Sequence, residues 1–591
     1  MMRSVSLARR PWFLIALFGS LVLASRCPIA PGQLFSFDDV NLAYAIGHFD
    51  IRVSQPQPPG YPLFVMEMRA LSWLRFHRPE SILLVLALAG SIAALVLMVL
   101  GGNRILGGSS GFCAACLLLF DPVFWHAGVS SALRMQLAII SLAVGTACYR
   151  AWTGEGRWVL WSALILGIGA GARPESGPLL FPLWAACALR APVRWRVRGL
   201  SLCAMGAAVL LWLLPAMLAS GGPIAYWKTC SAYLADQASL TSEAFGASTN
   251  RWLATFWRLM VWTLSGVLAW PLAAIVAWHR GEGFGLGRSR AAFLALWFLP
   301  PFLFALFVHI EDPGQALGMI PVVALFGGFL VDRALDRMAG RVSRWTALVF
   351  FLFPAAAALL ELGDARQILI YVPLCSIPAG LLLRQSQPMK PGYPEREHTM
   401  VFLLFPGVLL GLVMFLYPHW YYAGSATKGL AAVAEHSLTD INSGFALTSL
   451  AHIRNTTDTD DHTLREAQRL ALEHTGKTLV VWEHGLTSSR KAAYYLRGLP
   501  VVVLEHQKLA ASPPVATMWN GADLLQRFEG GNPVRVRLLP GARIVWLLNP
   551  RTEFYALAQH AFAMTSAGPV YFTDLPAEAG SRVLGEYELR W

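Results

Sequence analysis

The sequence has few charged residues. Asp, Glu, Lys and Arg make up 14% of its 591 residues, whereas hydrophobic residues make up 55%. An average soluble domain carries about 25% charged residues. The composition is therefore far from that of a soluble domain, and it predicts a polytopic membrane protein.

Cysteine is also scarce and gives no disulfide framework. The eight cysteines lie mostly inside apolar segments, and none follows Cys375. Cys113 and Cys116 have the spacing of a redox or metal motif, but small residues in an apolar helix usually serve close packing. Cys27 and Cys230 both fall near the predicted outer surface, so one bridge between them is left open.

Long apolar runs are what the chain has in abundance. Runs long enough to cross roughly 30 Å of hydrocarbon, about 20 residues each, recur from residue 11 to residue 417 and then stop. They predict between eleven and thirteen transmembrane helices. The predicted spans are 11–30, 80–100, 105–120, 129–149, 157–172, 177–189, 199–219, 252–278, 291–309, 316–332, 344–361, 367–384 and 400–417.

The last part of the chain has a different pattern. Charged residues return, and two β-rich runs, TLVVWEH and LPVVVLE, bracket a helical pattern over residues 485–498. VRVRLLP, RIVWLLNP and PVYFTDLP predict further strands. The sequence thus predicts a transmembrane domain over residues 1–417 and an extracytoplasmic soluble α/β domain over residues 418–591.

This C-terminal part also lacks familiar catalytic motifs. It has no Gly-rich phosphate loop and no nucleophile elbow. Its Asp-rich stretch NTTDTDDH, residues 455–462, is interpreted as a solvated loop rather than a metal site. We therefore look for chemistry in the membrane part of the chain.

Basic residues are concentrated in alternate loops. Lys and Arg in short loops stay cytoplasmic, and the basic loops fall on the same side as the basic first ten residues when the spans are threaded in order. The N-terminus is predicted to be cytoplasmic. The net charge of +12 mostly reflects these inner loops and gives no reason to expect nucleic acid. The C-terminal domain is predicted outside, as are the loops at Asp38, Asp121, Arg173, Lys228 and Glu311.

The first predicted outer loop begins with two adjacent carboxylates. In SFDDVNLAYAIGHFDIRVSQPQPPGYPLFV, residues 36–65, Asp38 and Asp39 open the pattern of a short interfacial helix that a rigid Pro-rich segment follows. Asp is favoured at the start of a helix, so both residues can be ordinary caps. Adjacent carboxylates also suit chemistry, because like charges raise one pKa and an ionised carboxylate can act as a general base.

The same loop resembles that of the GT-C class of integral-membrane glycosyltransferases. An acidic pair after the first span, a helix bearing a Tyr and a Pro-Pro segment follow one another in that order. Protein O-mannosyltransferases, the lipid A aminoarabinose transferase and a bacterial branch with HPPGYPL, where this chain has QPPGYPL, are the nearest relatives. Residues 165–184 and 308–328 are similar to that branch's Gly-rich span ending in Arg-Pro and to its Pro-Gly turn.

The resemblance implies an inverting transferase that moves a sugar from a polyprenyl-phosphate carrier to an acceptor hydroxyl. Asp38 matches the first acid of the family motif and would be the base, while Asp39 would position the acceptor or a divalent ion. Arg173 would neutralise the leaving phosphate, because an Arg at the outer end of an apolar hairpin is costly without a partner. Its alternative is snorkelling to lipid headgroups.

Further residues are candidates for contacts with the substrate. Each has an ordinary alternative in an interfacial aromatic helix, a polar loop or an aromatic belt. The candidates are Lys228 for the phosphate, His309 and Glu311 for the sugar or phosphate, Tyr61 for stacking on a sugar or prenyl chain, and His126 and Arg134 in the second outer loop.

The expected partners are membrane lipids, a polyprenyl-phosphate-linked sugar donor and a lipid, glycan or protein acceptor, in the cytoplasmic (inner) membrane. No cofactor is assigned, and a divalent ion, Mg²⁺ or Mn²⁺ held at Asp39, is left open. The alternative function is a transporter or flippase, or a ligase that handles lipid-linked glycans. A transporter would be expected to show broken helices in repeated positions, and the sequence has no internal repeat.

Overall fold

The structure is a computed structural model, and it covers most of the chain. The described residues are 11–74, 76–242, 252–264, 286–310, 312–338, 411–412, 414–415, 447–473, 477–483, 489–505, 515–528, 533–548 and 553–591. The predicted spans at 344–361 and 367–384, and nearly all of 400–417, lie outside them. The count of eleven to thirteen spans therefore stays a prediction.

The described chain before residue 339 is almost entirely helical. Its helices are α1 (Pro11–Arg26), α2 (Phe37–Gly47), α3 (Pro62–Trp73), α4 (Pro79–Leu106), α5 (Ser110–Leu119), α6 (Pro122–Ser130), α7 (Ala132–Trp152), α8 (Arg157–Ala172), α9 (Ser176–Arg190), α10 (Trp195–Ala219), α11 (Pro223–Thr241), α12 (Trp252–Leu264), α13 (Arg288–Phe307) and α14 (Ile320–Met338).

Several of these helices can cross a membrane. Within the described residues five are long and apolar enough, namely α1 with its short extension to Ile29, α4, α7, α10 and α13. The bent pair α5 and α6 adds a sixth if it forms one span. The prediction of a polytopic helical membrane protein is confirmed.

The region around Asp121 differs from the predicted loop. Helices α5 and α6 are separated by only two residues and meet at 61°. The Asp121 carboxylate accepts a hydrogen bond of 3.0 Å from the Phe124 backbone N–H, and Pro122 opens α6. An Asp cap followed by Pro at the first helical position starts a new helix instead of extending the old one.

A buried arginine holds this helix break. Arg26 at the end of α1 is fully buried, and its Nη2 donates to the Leu119 carbonyl oxygen at 2.7 Å. Its guanidinium lies 5.3 Å from the Trp125 ring centroid and 5.8 Å from that of Phe124. Because α5 ends at Leu119, Arg26 satisfies a carbonyl that the helix itself leaves without a partner.

Three helices, α4, α5 and α14, pack backbone against backbone. A Cβ added at Gly111 of α5 would lie 2.5 Å from the Val99 carbonyl oxygen of α4, and one at Gly102 would lie 2.6 Å from the Gly111 Cα. A Cβ at Gly328 of α14 would lie 2.4 Å from the Ser110 carbonyl oxygen. Small residues permit such close approach between membrane helices.

All cysteines among the described residues, from Cys27 to Cys230, are free. The bridge between Cys27 and Cys230 that the sequence left open is therefore not formed. Cys113 is buried in α5, in agreement with a packing role.

The C-terminal region contains the predicted α/β domain. Every predicted strand is present. The helices are α15 (Leu450–Glu473), α16 (Ser489–Tyr495) and α17 (Glu553–Ala561), and the strands are β1 (Thr478–Glu483), β2 (Val501–Glu505), β3 (Val515–Asn520), β4 (Asp523–Phe528), β5 (Val534–Arg537), β6 (Arg543–Leu547), β7 (Thr565–Ala567), β8 (Val570–Asp574), β9 (Ser581–Leu584) and β10 (Tyr587–Arg590).

These strands form two sheets. The larger has the order β4-β3-β2-β1-β6-β8-β7, and β1 pairs in parallel with both β2 and β6. The smaller has the order β5-β10-β9. Strand β1 is buried along its whole length, as expected of a central parallel strand covered on both faces. One face packs against α15 and α16, and the other against α17.

The Asp-rich stretch 455–462 is not a loop. It continues α15, in contrast to the sequence interpretation. The helix places Ile453, Leu464, Ala467 and Leu470 on its buried side. This apolar face outweighs the weak helix preference of Asp and Thr.

The chain divides into two compact units that do not follow chain order. One comprises residues 1–30, 50–53 and 58–453, and the other comprises residues 31–49, 54–57 and 454–591. Helix α2, with Asp38 and Asp39, thus belongs to the unit that contains the α/β domain. The predicted boundary between residues 417 and 418 falls outside the described residues.

The backbone contact at Gly328 should make this position intolerant of any side chain. Gly328→Ala is expected to destabilise the protein by about 1–3 kcal/mol, because the neighbouring atoms are backbone and cannot move aside. Thermal melting of the purified protein in detergent would measure the change.

Gly206→Ala is the matched control, since no atom lies within 4 Å of a Cβ at that helical position. An unchanged or slightly raised melting temperature is expected for it. Equal melting temperatures for the two variants would contradict close packing at Gly328.

Candidate active site

The QPPGYP segment places Tyr61 at the start of α3. Gly60 has φ +81°, a conformation that glycine adopts without strain, and Pro62 opens the helix. The Tyr226 hydroxyl of α11 donates to the Pro59 carbonyl oxygen at 2.6 Å. The Tyr61 ring is buried in this well-fixed segment.

Arg173 is the best-formed candidate of the membrane unit. It ends α8, its side chain is only 1% exposed, and its guanidinium lies 5.1 Å from the Tyr61 ring centroid. Its Nη2 donates to the Glu175 carboxylate. Its Nε and Nη1 are buried and have no hydrogen-bond partner among the described residues. Unsatisfied buried N–H groups of a cation are costly, so this arrangement suits an anionic ligand.

His309 lies in the electrostatic field of the same group. Burial lowers its pKa, the Arg134 and Arg173 cations lower it further, and Glu175 raises it. Arg134 in turn has its Nε 3.7 Å from an Asp312 carboxylate oxygen. Arg173, His309 and Arg134 thus form one charged cluster. The sequence singled out each of these residues separately and did not predict that they lie together.

The remaining predicted contacts have different outcomes. His126 is buried in α6, where the Ser130 hydroxyl lies 3.1 Å from its Nδ1. Lys228 is exposed on α11. Glu311 lies outside the described residues, so its role stays a prediction.

Asp312 and Glu175 are charged neighbours that the sequence interpretation missed. Asp312 caps the turn Pro313–Gly318, where its carboxylate accepts a hydrogen bond of 2.6 Å from the Gly314 N–H. An Asp before Pro-Gly is a recognisable cap signal. Glu175 lies two residues after Arg173, and no sequence pattern singled it out.

Glu67 is a further acid without a sequence-based prediction. It projects from the apolar helix α3 and accepts a hydrogen bond of 2.9 Å from Gln136 Nε2. Burial raises its pKa to about 7, although the bond from Gln136 opposes the shift. Glu67 could have been singled out in the sequence because it is the one carboxylate among the mostly apolar residues of this helix.

The two adjacent carboxylates of α2 have different environments. Ser36 is the N-cap, and the Asp39 carboxylate accepts hydrogen bonds of 2.9 Å from both the Ser36 N–H and the Ser36 hydroxyl. Asp39 is buried, whereas Asp38 is half-buried and takes no part in this capping box. The capping box therefore uses Asp39, whereas Asp38 lies in the first turn outside that box.

An apolar groove begins one turn from Arg173. It lies among α8, α9 and α10 and encloses about 370 Å³. The groove is lined by Leu166, Gly167, Ala170, Gly177, Pro178, Phe181, Met205 and Val209. Arg173 is not among the lining residues, and Ala170 lies three positions before it in the chain.

No group of three or more His, Cys, Asp or Glu side chains is arranged to hold a metal ion in the part of the chain that the structure describes. The Asp39 oxygen Oδ2 is already bound to Ser36. We therefore assign no residues to the divalent ion that the sequence left open.

The fold defines a polytopic membrane protein in which a helical body is combined with a C-terminal α/β region. No family model matches the chain, and no curated protein matches it in sequence. Two crystal structures of ArnT from Cupriavidus metallidurans are similar to it, one bound to undecaprenyl phosphate and one in the apo state.

The similarity to ArnT extends over nearly the whole chain. Each comparison has a TM-score of 0.50 and covers 95% of this chain and 97% of that one. The sequence identity is 12% to the bound structure and 14% to the apo structure. The resemblance predicted from residues 36–65 is thus confirmed at the level of the fold.

Glu67 should make the stability of the protein depend on pH. A carboxyl group whose folded pKa is raised contributes stability that is present below its ordinary pKa of 4.5 and is lost as the pH rises through about 7. Wild type is therefore expected to lose more thermal stability than Glu67→Gln as the pH rises from 4.5 to about 7.

The comparison of pH slopes removes the contribution of other titrating groups, including His309. Glu67→Gln keeps a side chain that can bond to Gln136 but cannot ionise. Identical slopes for the two proteins would show that the pKa of Glu67 is not raised in the folded state.

Proposed function

We propose that this protein is a membrane glycosyltransferase that takes a sugar from a polyprenyl-phosphate carrier and passes it to an acceptor hydroxyl. The reaction takes place at the outer face of the cytoplasmic membrane, with the N-terminus inside and the α/β domain outside. The acceptor belongs to a lipid, a glycan or a protein. The fold shared with ArnT supports the class, and the ArnT structure with undecaprenyl phosphate supports the type of carrier.

One observation carries the proposal, namely the buried guanidinium of Arg173. Its Nη2 is held by Glu175, while Nε and Nη1 have no partner among the described residues. Two adjacent N–H groups of a guanidinium fit two oxygens of a phosphate. Arg173 binds the carrier phosphate and stabilises the charge that develops on it as the sugar leaves.

The groove next to Arg173 suits the apolar part of the same donor. Its lining from Leu166 to Val209 is apolar, and its small residues Gly167, Ala170 and Gly177 leave room for a chain. In this proposal the prenyl chain lies in the groove and the phosphate binds at Arg173. Tyr61, whose ring lies against the guanidinium, fixes the cation instead of stacking on the sugar.

Asp38 is the proposed base. Its carboxylate accepts the proton of the acceptor hydroxyl, the acceptor oxygen forms a bond to the anomeric carbon, and the bond from that carbon to the phosphate oxygen breaks. The phosphate leaves with the electron pair, and attack from the opposite side inverts the anomeric centre. His309 and Arg134 contact the sugar or phosphate. Asp39 holds the start of the helix that carries the base.

A flippase or transporter of lipid-linked glycans is the second candidate. The 61° break between α5 and α6 favours it, because transporters often contain broken helices. Such a protein would bind the same lipid at Arg173 and release no carrier phosphate. The assay below separates the two functions.

Asp38→Asn should abolish most transfer activity. The amide cannot take the acceptor proton, so turnover with a panel of polyprenyl-phosphate sugars is expected to fall by roughly 10²–10⁴ while binding of undecaprenyl phosphate is retained. Turnover would be measured as release of the carrier phosphate by purified protein.

Asp39→Asn is the matched variant, because its amide oxygen can still accept hydrogen bonds from Ser36. It is expected to lose much less activity than Asp38→Asn. Full activity of folded Asp38→Asn would remove Asp38 from the reaction. Absence of turnover in wild type with every donor would favour the flippase.

Arg173→Met should weaken the binding of undecaprenyl phosphate. Loss of charge-assisted hydrogen bonds is expected to raise the dissociation constant roughly tenfold to a hundredfold. Arg196→Met removes an equal charge from an exposed position and serves as control. Equal affinities of the two variants, measured by quenching of intrinsic fluorescence, would show that the carrier phosphate binds elsewhere.

A further inference from the structure

Helix α2 is fastened to the C-terminal domain by an arginine that the proposed reaction does not use. Arg490, in the first turn of α16, is 7% exposed, and its Nε donates to the Asn41 side-chain oxygen at 3.1 Å. Asn41 itself is fully buried. This contact joins residues that are 449 positions apart in the chain.

The Arg490 guanidinium also lies between two aromatic rings. It is 5.0 Å from the ring centroid of Tyr44 on α2 and 5.0 Å from that of Trp519 on β3. Both distances are within the range of cation–π attraction. Burial lowers the pKa of Arg490, while neighbouring Tyr44 raises it. One side chain therefore connects two positions of α2 to the sheet of the α/β domain.

Other contacts fix the approach to the same helix. The Leu34 N–H donates to the Tyr495 hydroxyl oxygen at 2.9 Å. Gln33 donates to the Asp461 carboxylate of α15. The rings of Tyr44 and Tyr494 meet edge to face at 5.2 Å. The segment from residue 33 to residue 44 is thus held by the C-terminal domain at several points.

These contacts lie next to the proposed base. Asn41 follows Asp38 by three positions, and residues three apart are neighbours on the surface of a helix. A rotation or shift of α2 that broke the contact between Arg490 and Asn41 would move Asp38 by a similar amount. Arg490 can therefore control where the Asp38 carboxylate points without touching a substrate.

We propose that the C-terminal domain serves to hold the base-bearing helix, and that Arg490 is its positioning residue for Asp38. The inference rests on the proposed function, because it takes Asp38 as the base. In this proposal the domain positions a catalytic group and does not itself need to bind the acceptor or a glycan. The guanidinium acts through Asn41 and Tyr44, which set the place and direction of α2.

The expected effect follows from the sensitivity of proton transfer to geometry. Displacement of a catalytic group by about 1 Å can lower the rate by about 10². A general base must come within hydrogen-bond reach of the proton that it removes. Loss of the contact should therefore lower turnover and leave the carrier site at Arg173 intact.

Arg490→Met in the full-length protein tests this role with three measurements. Hydrogen exchange of the α2 backbone amides is expected to become faster, because the helix loses its anchor. The kcat with polyprenyl-phosphate sugars is expected to fall by roughly 10–10². The affinity for undecaprenyl phosphate and the KM for the donor are expected to change by less than about twofold, since Arg173 is untouched.

Arg582→Met is the control. Arg582 is exposed on β9 of the C-terminal domain, and its Nη1 donates to the Ser581 carbonyl oxygen. The control should leave exchange in α2 and kcat near wild-type values. Arg490→Lys keeps a cation between the two rings and should restore part of the lost kcat.

A double-mutant cycle distinguishes positioning from general loss of stability. If Arg490 acts through Asn41, then Asn41→Leu combined with Arg490→Met should lower kcat no further than the more severe single variant. Independent, additive losses would overturn the proposal. So would a normal kcat in Arg490→Met, or unchanged exchange in α2.

The measurements also separate this inference from the proposed function. If wild type shows no turnover with any donor, the glycosyltransferase proposal fails and the positioning role fails with it. Hydrogen exchange then still decides whether Arg490 anchors α2. If wild type is active and Asp38→Asn is inactive, a normal kcat in Arg490→Met overturns the positioning role alone.

Discussion

The burial of guanidinium groups is the constraint on which much of this structure depends. A buried cation is unfavourable unless hydrogen bonds and polarisable groups compensate for the lost water. Arg26, Arg173 and Arg490 are each buried, and each is compensated differently.

Arg26 and Arg490 are each bound to the protein across distant parts of the chain. Arg26 donates to the carbonyl that ends α5 and lies against two aromatic rings, so it holds a helix break. Arg490 contacts Asn41 and lies between Tyr44 and Trp519, so it holds a helix on a domain. Arg173 contacts a carboxylate and one ring, and its Nε and Nη1 have no hydrogen-bond partner in the part of the chain that the structure describes.

The two carboxylates that open α2 show how local structure divides a pair of similar residues. The capping box needs one acceptor at the third helical position, and Asp39 supplies it. Asp38 is not part of the capping box and is the more exposed of the two carboxylates. Adjacent residues in a helix point about 100° apart, so the cap and the proposed base can occupy one turn without competing.

The sequence by itself determined the class of the protein. Its apolar runs predict membrane helices, its alternating β-rich runs predict the α/β domain, and residues 36–65 predict the GT-C-like fold. These features depend on hydrophobicity and on neighbours close in the chain, which a sequence states directly. Arg173 could be singled out from the sequence, because a cation at the end of an apolar hairpin needs a partner, and its role in binding stays a prediction.

Only the tertiary structure decided which groups meet. The anchoring of α2 by Arg490, the bend held by Arg26 and the cluster of Arg173 with His309 and Arg134 all join residues far apart in sequence. The assignment of residues 31–49 to the unit of the C-terminal domain has the same origin. No local pattern encodes such contacts, because they are fixed by the packing of complete helices and sheets against each other.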